Sequence, residues 1–314
     1  MLHILNQVLP ILFLMGLGAW IRRTQFLTAP IIEALQKLVI NVALPSVLFI
    51  SFLKIEFQPA YFVLFVLIFG LCVGLFLLGR ALHKGFNLRY ASFPYLTTGF
   101  EYGLLGISLF GAAYGLDKIG FIAVVDLGHE FFVWFLFLPL LLVRRDGVQK
   151  PREIIRAFLS APVVLAILSG LLFNALRAQT WLYEAPVTGA FIHTLELLGQ
   201  LTVPLMLIVV GYGIQITLTG AKEALWVVLI RMGVLIPLAV GLNVFLLRGI
   251  LHLDPWFETA LFTLLILPPP FIVPLYSPAT LSGEEKQYLN NVLTLHTILS
   301  VAVFVVVFVW FPRV

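Results

Sequence analysis

The sequence predicts an all-α polytopic membrane protein with ten transmembrane helices arranged as two inverted five-helix repeats. Three observations carry this reading. Charged residues make up 11% of the 314 positions, under half the ~25% of soluble domains, while 61% are hydrophobic and mean hydropathy is +1.08. Apolar runs of membrane-spanning length recur ten times between short gaps that hold charge, Gly or Pro. Segments of the first half also return, in the same order, in the second. Ten spans of ~20 residues leave about 100 positions for connections and ends, so no separate soluble domain is expected. The composition argues against nucleic-acid binding, disulfide scaffolds and most α/β enzymes.

In chain order, helices are predicted over 4–21, 33–53, 59–82, 91–114, 120–143, 154–176, 190–216, 222–248, 257–280 and 286–311. The first, in MLHILNQVLPILFLMGLGAWIRR, lacks a basic leader and a small-residue cleavage site, so it reads as a retained helix and not a signal peptide. Helix 3 holds Cys72, the only cysteine, which excludes an intrachain disulfide and reads as a small core residue. Helix 4 carries Gly99, Gly103, Gly106 and Gly111 as flexible points. Helix 9 contains Pro268, Pro269, Pro270, Pro274 and Pro278, each of which removes an amide donor and clashes with the preceding turn. It is expected to be broken at membrane depth. Trp20, Trp181, Trp226, Trp256 and Trp310 near span ends read as interfacial anchors, and Lys37, Lys54 and Arg177 as snorkelling cations.

The net charge of +4 is distributed by position. Connections after helices 1, 3, 5, 7 and 9 hold twelve Lys and Arg, and the other side, which includes Arg313, holds five. This bias places the odd connections in the cytoplasm and both termini outside, in the cell (inner) membrane.

VINVALPSVLF (39–49) in helix 2 aligns with LGQLTVPLMLI (198–208) in helix 7, matching Asn41 to Gln200 and Pro45 to Pro204. FLLGRAL (76–82) aligns with FLLRGIL (245–251), and Pro10 with Gly18 has the spacing of Pro162 with Gly170. The repeats cover 1–147 and 148–314. An odd number of helices per repeat inverts the second in the membrane, as in many secondary transporters. The site is then expected at interrupted helices near midplane, in the fourth helix of each half. A shift of 169 residues puts Glu101 opposite Pro270 and Ser108 opposite Ser277.

Ionisable groups inside spans are costly and therefore functional candidates. Asp126, His129 and Glu130 share one face of helix 5, which suits a proton or cation route; the plainer reading is that Asp126 and Glu130 lie near an interface or pair with Arg231. Arg231 falls roughly 10 Å into helix 8 at 1.5 Å per residue. It either snorkels to the surface, neutralises an acid or receives a substrate carboxylate. His296, with Asn290 and Asn291 nearby, joins the relay or packs as a hydrogen-bonded core residue. Val133 stands where a zinc-protease helix would need its second histidine, and no GxxxxGK loop is present. No cofactor, metal or enzymatic activity is expected.

NVALPSVLF, EYGLLGISLFGAAYG, AFLSAPVVLAILSGLLFNAL (157–176), QLTVPLMLIVVGYGI (200–214) and PFIVPLYSP resemble the auxin efflux carrier family, in order over nearly the whole chain. That family includes plant PIN-type auxin exporters and bacterial permeases for malate, malonate and related carboxylates. The resemblance implies scaffold helices 1, 2, 6 and 7, and a moving transport domain of helices 3–5 and 8–10. It implies helices 4 and 9 broken and crossing, substrate bound beside the crossing, and a homodimer through the scaffold. Two positions depart from the family pattern: Glu101 stands where members usually carry Asn, and Ser108 where they carry Pro. An ionised Glu101 would repel an anion at ~4 Å by about 4 kcal/mol at an effective dielectric of 20. Glu101 is then protonated when the anion binds, or is paired with a cation, or the substrate is not an anion.

The resulting expectation is a secondary transporter of a small organic anion, a carboxylate, working by alternating access as a proton-coupled symporter or antiporter. The expected substrate contacts are Asn41, Glu101, Tyr102, Gly103, Gly106, Pro269, Pro270, Phe271, Ile272, Val273 and Pro274, with exposed amides near 271–273 holding the anion. The coupling set is Glu101, Asp126, His129, Glu130, Arg231 and His296. The alternatives are a sodium/proton antiporter-like cation transporter and a non-transporting membrane receptor. In a Cys72→Ala background, a cysteine replacing Lys84 should react with a membrane-impermeant maleimide only from the cytoplasmic side, and one replacing Lys118 only from outside. The reverse pattern would overturn the orientation.

Overall fold

The structure is a computed structural model that describes residues 2–56, 58–147, 150–215, 217–278 and 280–310, with side chains described from position 9 onward. Positions 216, 279 and 311, which end or interrupt predicted helices, and Arg313, counted in the charge bias, lie outside the described residues. Among the described residues the chain is all-helical, and helical structure falls on each predicted segment. The helices are numbered in that order: α1 Leu2–Thr24, α2 Ala29–Lys54, α3 Ala60–Gly85, α4 Phe93–Leu96 with Tyr102–Tyr114, and α5 Leu116–Asp146. The second half holds α6 Pro151–Leu159 with Pro162–Ala175, α7 Pro186–Gly213, α8 Ala221–Arg248, α9 Pro255–Ile266 with Ile272–Leu275, and α10 Gly283–Trp310. Six of them, α2, α3, α5, α7, α8 and α10, are long and apolar enough to cross a membrane. The two parts of α6, bent by 59°, pass the same test together. The chain is thus a polytopic integral membrane protein.

Proline chemistry explains three of the local irregularities. A π turn over Val39–Ala43 stands just before Pro45, and another over Val133–Phe137 just before Pro139, where each proline lacks the amide a regular turn would use. In α6 the bend falls at Ser160 and Ala161, directly ahead of Pro162.

Helix packing follows small residues, as expected where apolar attraction between helices is weak. Part of α7, Thr202–Gly213, lies along α1, and the latter part of α2, Leu44–Lys54, lies along α6. At Gly18 an added Cβ would lie 2.1 Å from the Ile208 carbonyl oxygen and 2.7 Å from the Tyr212 nitrogen. At Gly170 it would lie 2.7 Å from the Phe49 oxygen and 3.3 Å from the Leu53 nitrogen. Asn174 of α6 donates to the carbonyls of Phe52, Leu53 and Ile55 at the end of α2. In the other group, α3 packs on α5, where a Cβ at Gly128 would lie 2.2 Å from the Phe65 oxygen, and α8 packs on α10. The second part of α4 runs between the groups, touching α1 and α7 as well as α5.

Gly18→Ala should therefore lower stability in detergent by about 1–3 kcal/mol, the usual cost of forcing atoms into a packed contact. Gly16→Ala, where nothing lies within 4 Å of the new Cβ, should be near neutral in the same thermal unfolding assay.

Candidate functional site

The helical ladder lapses over 97–101 in α4 and 267–271 in α9, and the two gaps meet in the protein interior. Thr98, Gly99, Phe100, Glu101, Leu267, Pro268, Pro269 and Pro270 are all buried. Irregular backbone in a dry environment must find partners for its amides and carbonyls, since each buried unpaired group costs ~1–3 kcal/mol. The crossing meets this demand with two charged side chains and a histidine.

Arg231 of α8, 4% exposed, donates to the carbonyls of Leu96 (3.2 Å), Gly99 and Leu267 (3.4 Å) and lies 5.2 Å over the Phe100 ring. It thus serves the carbonyl ends that precede both gaps, where a cation is electrostatically favoured. Glu101 serves the amides that follow them. Its Oε1 accepts from the Leu104 N–H at 3.1 Å, an N-cap of the second part of α4, and its Oε2 accepts from the Phe271 N–H of α9 at 2.6 Å. The Glu101 N–H itself donates to the Pro268 carbonyl at 2.8 Å, so main chain and side chain together bracket Pro270. Three successive prolines in the α9 gap reduce the donors that must be satisfied there.

The Phe100 N–H donates to His129 Nε2 at 2.9 Å, which fixes the tautomer: Nδ1 carries the hydrogen and donates to Asp126 Oδ1 at 2.8 Å. Gly99 has φ +69°, and a Cβ there would lie 2.8 Å from Pro270 Cγ, so glycine is required both by backbone and by space. From α10, Ser300 donates to the Ile266 carbonyl at 2.5 Å and shares a 3.1 Å bond with His296 Nδ1.

A cavity of about 710 Å³ opens on the face that carries Glu33, Gln36 and Lys37 and reaches Leu104 and Phe271 at the crossing. Its walls come from α2 and α7 on one side and α9 and α10 on the other: Asn41, Gln215, Pro274, Asn290, Thr294 and Thr297 supply polar and turn residues among Ile40, Val209, Val210 and Leu293. A second cavity, about 560 Å³, lies on the opposite face, between α2 and α7 and the ends of α3, α5 and α9. Glu56, Asp117, Glu196 and Asp254 line it against Lys54. Asn41 borders the first cavity and Gln200 the second.

Several expectations require correction. Of the four glycines expected to loosen α4, Gly99 is the one inside its interruption; Ser108 is inside continuous helix, bonded to the carbonyls of Leu104 and Leu105. Two of the amides expected to be exposed at 271–273 are already engaged: Phe271 donates to Glu101 and Val273 to the Pro270 carbonyl. Arg231 neither snorkels nor pairs with Asp126 or Glu130; its hydrogen bonds go to backbone. Glu130 accepts from the Trp134 indole at 2.8 Å, and Asn291 ties down Thr217 and Thr219 before α8, so neither continues a relay to His296. Lys37 lies at a cavity mouth.

Of the expected contacts, Asn41, Phe271 and Pro274 line the cavity, while Glu101, Tyr102, Gly106, Pro269, Pro270 and Val273 are buried behind it and Gly103 and Ile272 are half-buried. The Leu104 amide and the Thr294 and Thr297 hydroxyl positions were missed. Asn290, Thr294 and Thr297 recur at helical spacing, a polar stripe that was readable in α10. One atom each of Asp126, His129 and Glu130 lie within 4.8 Å of one another, close enough to hold a metal ion. Both His129 nitrogens are already engaged, however, one holding Phe100 and the other Asp126, so the cluster works as a backbone support. No protein-family model matches the chain, and no curated protein matches it.

Arg231→Met should lower thermal stability by about 3 kcal/mol, since three buried carbonyls lose a charged donor. Arg231→Lys should recover part of this, because an ammonium lacks the planar fork that reaches several acceptors at once.

Proposed function

We propose that the chain is a secondary transporter of the auxin efflux carrier type, moving a small organic anion by alternating access. The observation that carries this reading is a cavity that opens on one face only and ends at two interrupted helices whose loose backbone is held by buried charges. Such a site can be carried past a framework of other helices while its internal bonds persist. The framework would be α1, α2, α6 and α7, and the moving part α3–α5 and α8–α10. The inverted arrangement of ten spans is supported by matched contacts. Gly18 packs on Ile208 and Tyr212, while its counterpart Gly170 packs on Phe49 and Leu53, the positions equivalent to those two under the helix 2 and helix 7 alignment. Asn41 and Gln200, also counterparts, border cavities on opposite faces. With the charge bias placing Glu33 and Lys37 at the cytoplasmic side, the cavity at the crossing is the inward-facing one.

Protons are the coupling ion in this reading. The carbonyl ends at the crossing, where a sodium ion would find its oxygen ligands, are occupied by the Arg231 guanidinium, and carboxylates inside the bundle offer sites for a proton. A second reading, with a cation as cargo, is favoured by one observation: four carboxylates and one lysine line the cavity on the opposite face.

Purified protein in proteoliposomes should show saturable counterflow of malonate, malate or indole-3-acetate, stimulated by an acid-outside pH gradient. Sodium-driven proton flux without counterflow of any organic acid would overturn the anion reading in favour of the second.

A further inference from the structure

Building on the anion-transport reading, we propose that Glu101 is a tethered stand-in for the substrate carboxylate: cargo and Glu101 exchange for the same backbone amides, one proton arriving with each anion. The structure already displays a carboxylate bound at the end of the cavity, and it belongs to the chain itself. Leu104 and Phe271 both line the cavity, and their backbone N–H groups donate to the two oxygens of Glu101. Phe271 belongs to α9 and Glu101 to α4, so this one carboxylate bridges the two interrupted helices.

Two anionic carboxylates cannot share these donors. The repulsion at close approach in such a medium corresponds to roughly a thousandfold loss of affinity. A proton on Glu101 removes the repulsion and weakens its claim on the amides, because the neutral acid is the poorer acceptor. The exchange balances: Glu101 carboxylate plus a proton plus a free monocarboxylate gives Glu101 carboxylic acid plus bound monocarboxylate. The net charge at the crossing is the same before and after.

The other titratable groups around Glu101 do not duplicate this role. On its own segment is Tyr102. From α5 come His129, held between Phe100 and Asp126, Asp126 behind it, and Glu130, bonded to Trp134. From α8 comes Arg231, committed to carbonyls, and from α10 His296, bonded to Ser300. The α9 gap, 267–271, holds only Leu, Pro and Phe, and Glu33 and Lys37 stand at the far mouth of the cavity. Among these, Glu101 alone is bonded to the amides of residues that line the cavity.

The test is calorimetric titration of the purified protein with malonate, acetate and indole-3-acetate in two buffers of different ionisation enthalpy. Wild type should take up one proton per acetate or indole-3-acetate bound, with affinity falling about tenfold per pH unit once Glu101 is ionised. Glu101→Gln, whose amide oxygen can still accept from one of the two backbone donors, should bind with no proton uptake and no pH dependence. In proteoliposomes the wild type should move a monocarboxylate without response to membrane potential, and Glu101→Gln should become potential-driven. Binding by wild type without proton uptake, or uptake that persists in Glu101→Gln, would overturn the proposal while leaving anion transport standing. Absence of binding by either protein for all three acids would overturn both. A wild-type count of zero overturns the proposal even if Glu101→Gln does not fold.

Discussion

The bond from the Phe271 amide to Glu101 is the interaction on which the rest of the crossing depends. Two helices that stop in the interior of an apolar bundle leave amides on one side of each gap and carbonyls on the other, with no water to meet them. A single carboxylate takes amides from both helices, and a single guanidinium takes carbonyls from both. Opposite charges are thus bound to opposite ends of the same pair of gaps, and each is neutralised by backbone dipoles. Ion pairing between them is not what holds the site.

This arrangement sets the order of the supporting contacts. Gly99 bends the α4 gap toward Pro270, and that bend brings the Phe100 amide onto His129. His129 can accept this hydrogen only in the tautomer that donates to Asp126, so the carboxylate of Asp126 is a brace for the imidazole two bonds removed from the crossing. The cavity is closed at one end by these contacts and walled on one side by α2 and α7, which take no part in them.

Much of the site was legible because charge is scarce in this chain. Glu101, Asp126, Glu130 and Arg231 stood out against apolar surroundings, and the proline cluster of helix 9 announced an interruption through lost donors alone. Partnership was less legible. Arg231 invited an acidic partner, and the carbonyls it serves belong to Leu96, Gly99 and Leu267, which any residue types could supply. The Phe271 amide, expected to be free, is taken by Glu101, since nothing local says that a side chain 170 positions away accepts from it. The break in α4 was assigned among four glycines without a way to choose; Gly99 alone of these has positive φ, a property of the folded backbone.

Hydropathy, spacing and proline placement determined that the chain is a helical membrane protein, where its helices run and which of them fail to continue, because these depend on each segment's own transfer energy and donor count. Tertiary structure alone decided which backbone groups the buried charges bind, which tautomer His129 adopts, and which face the cavity opens on. Those outcomes depend on distances between residues far apart in sequence, and a few tenths of an ångström there separate a hydrogen bond from none.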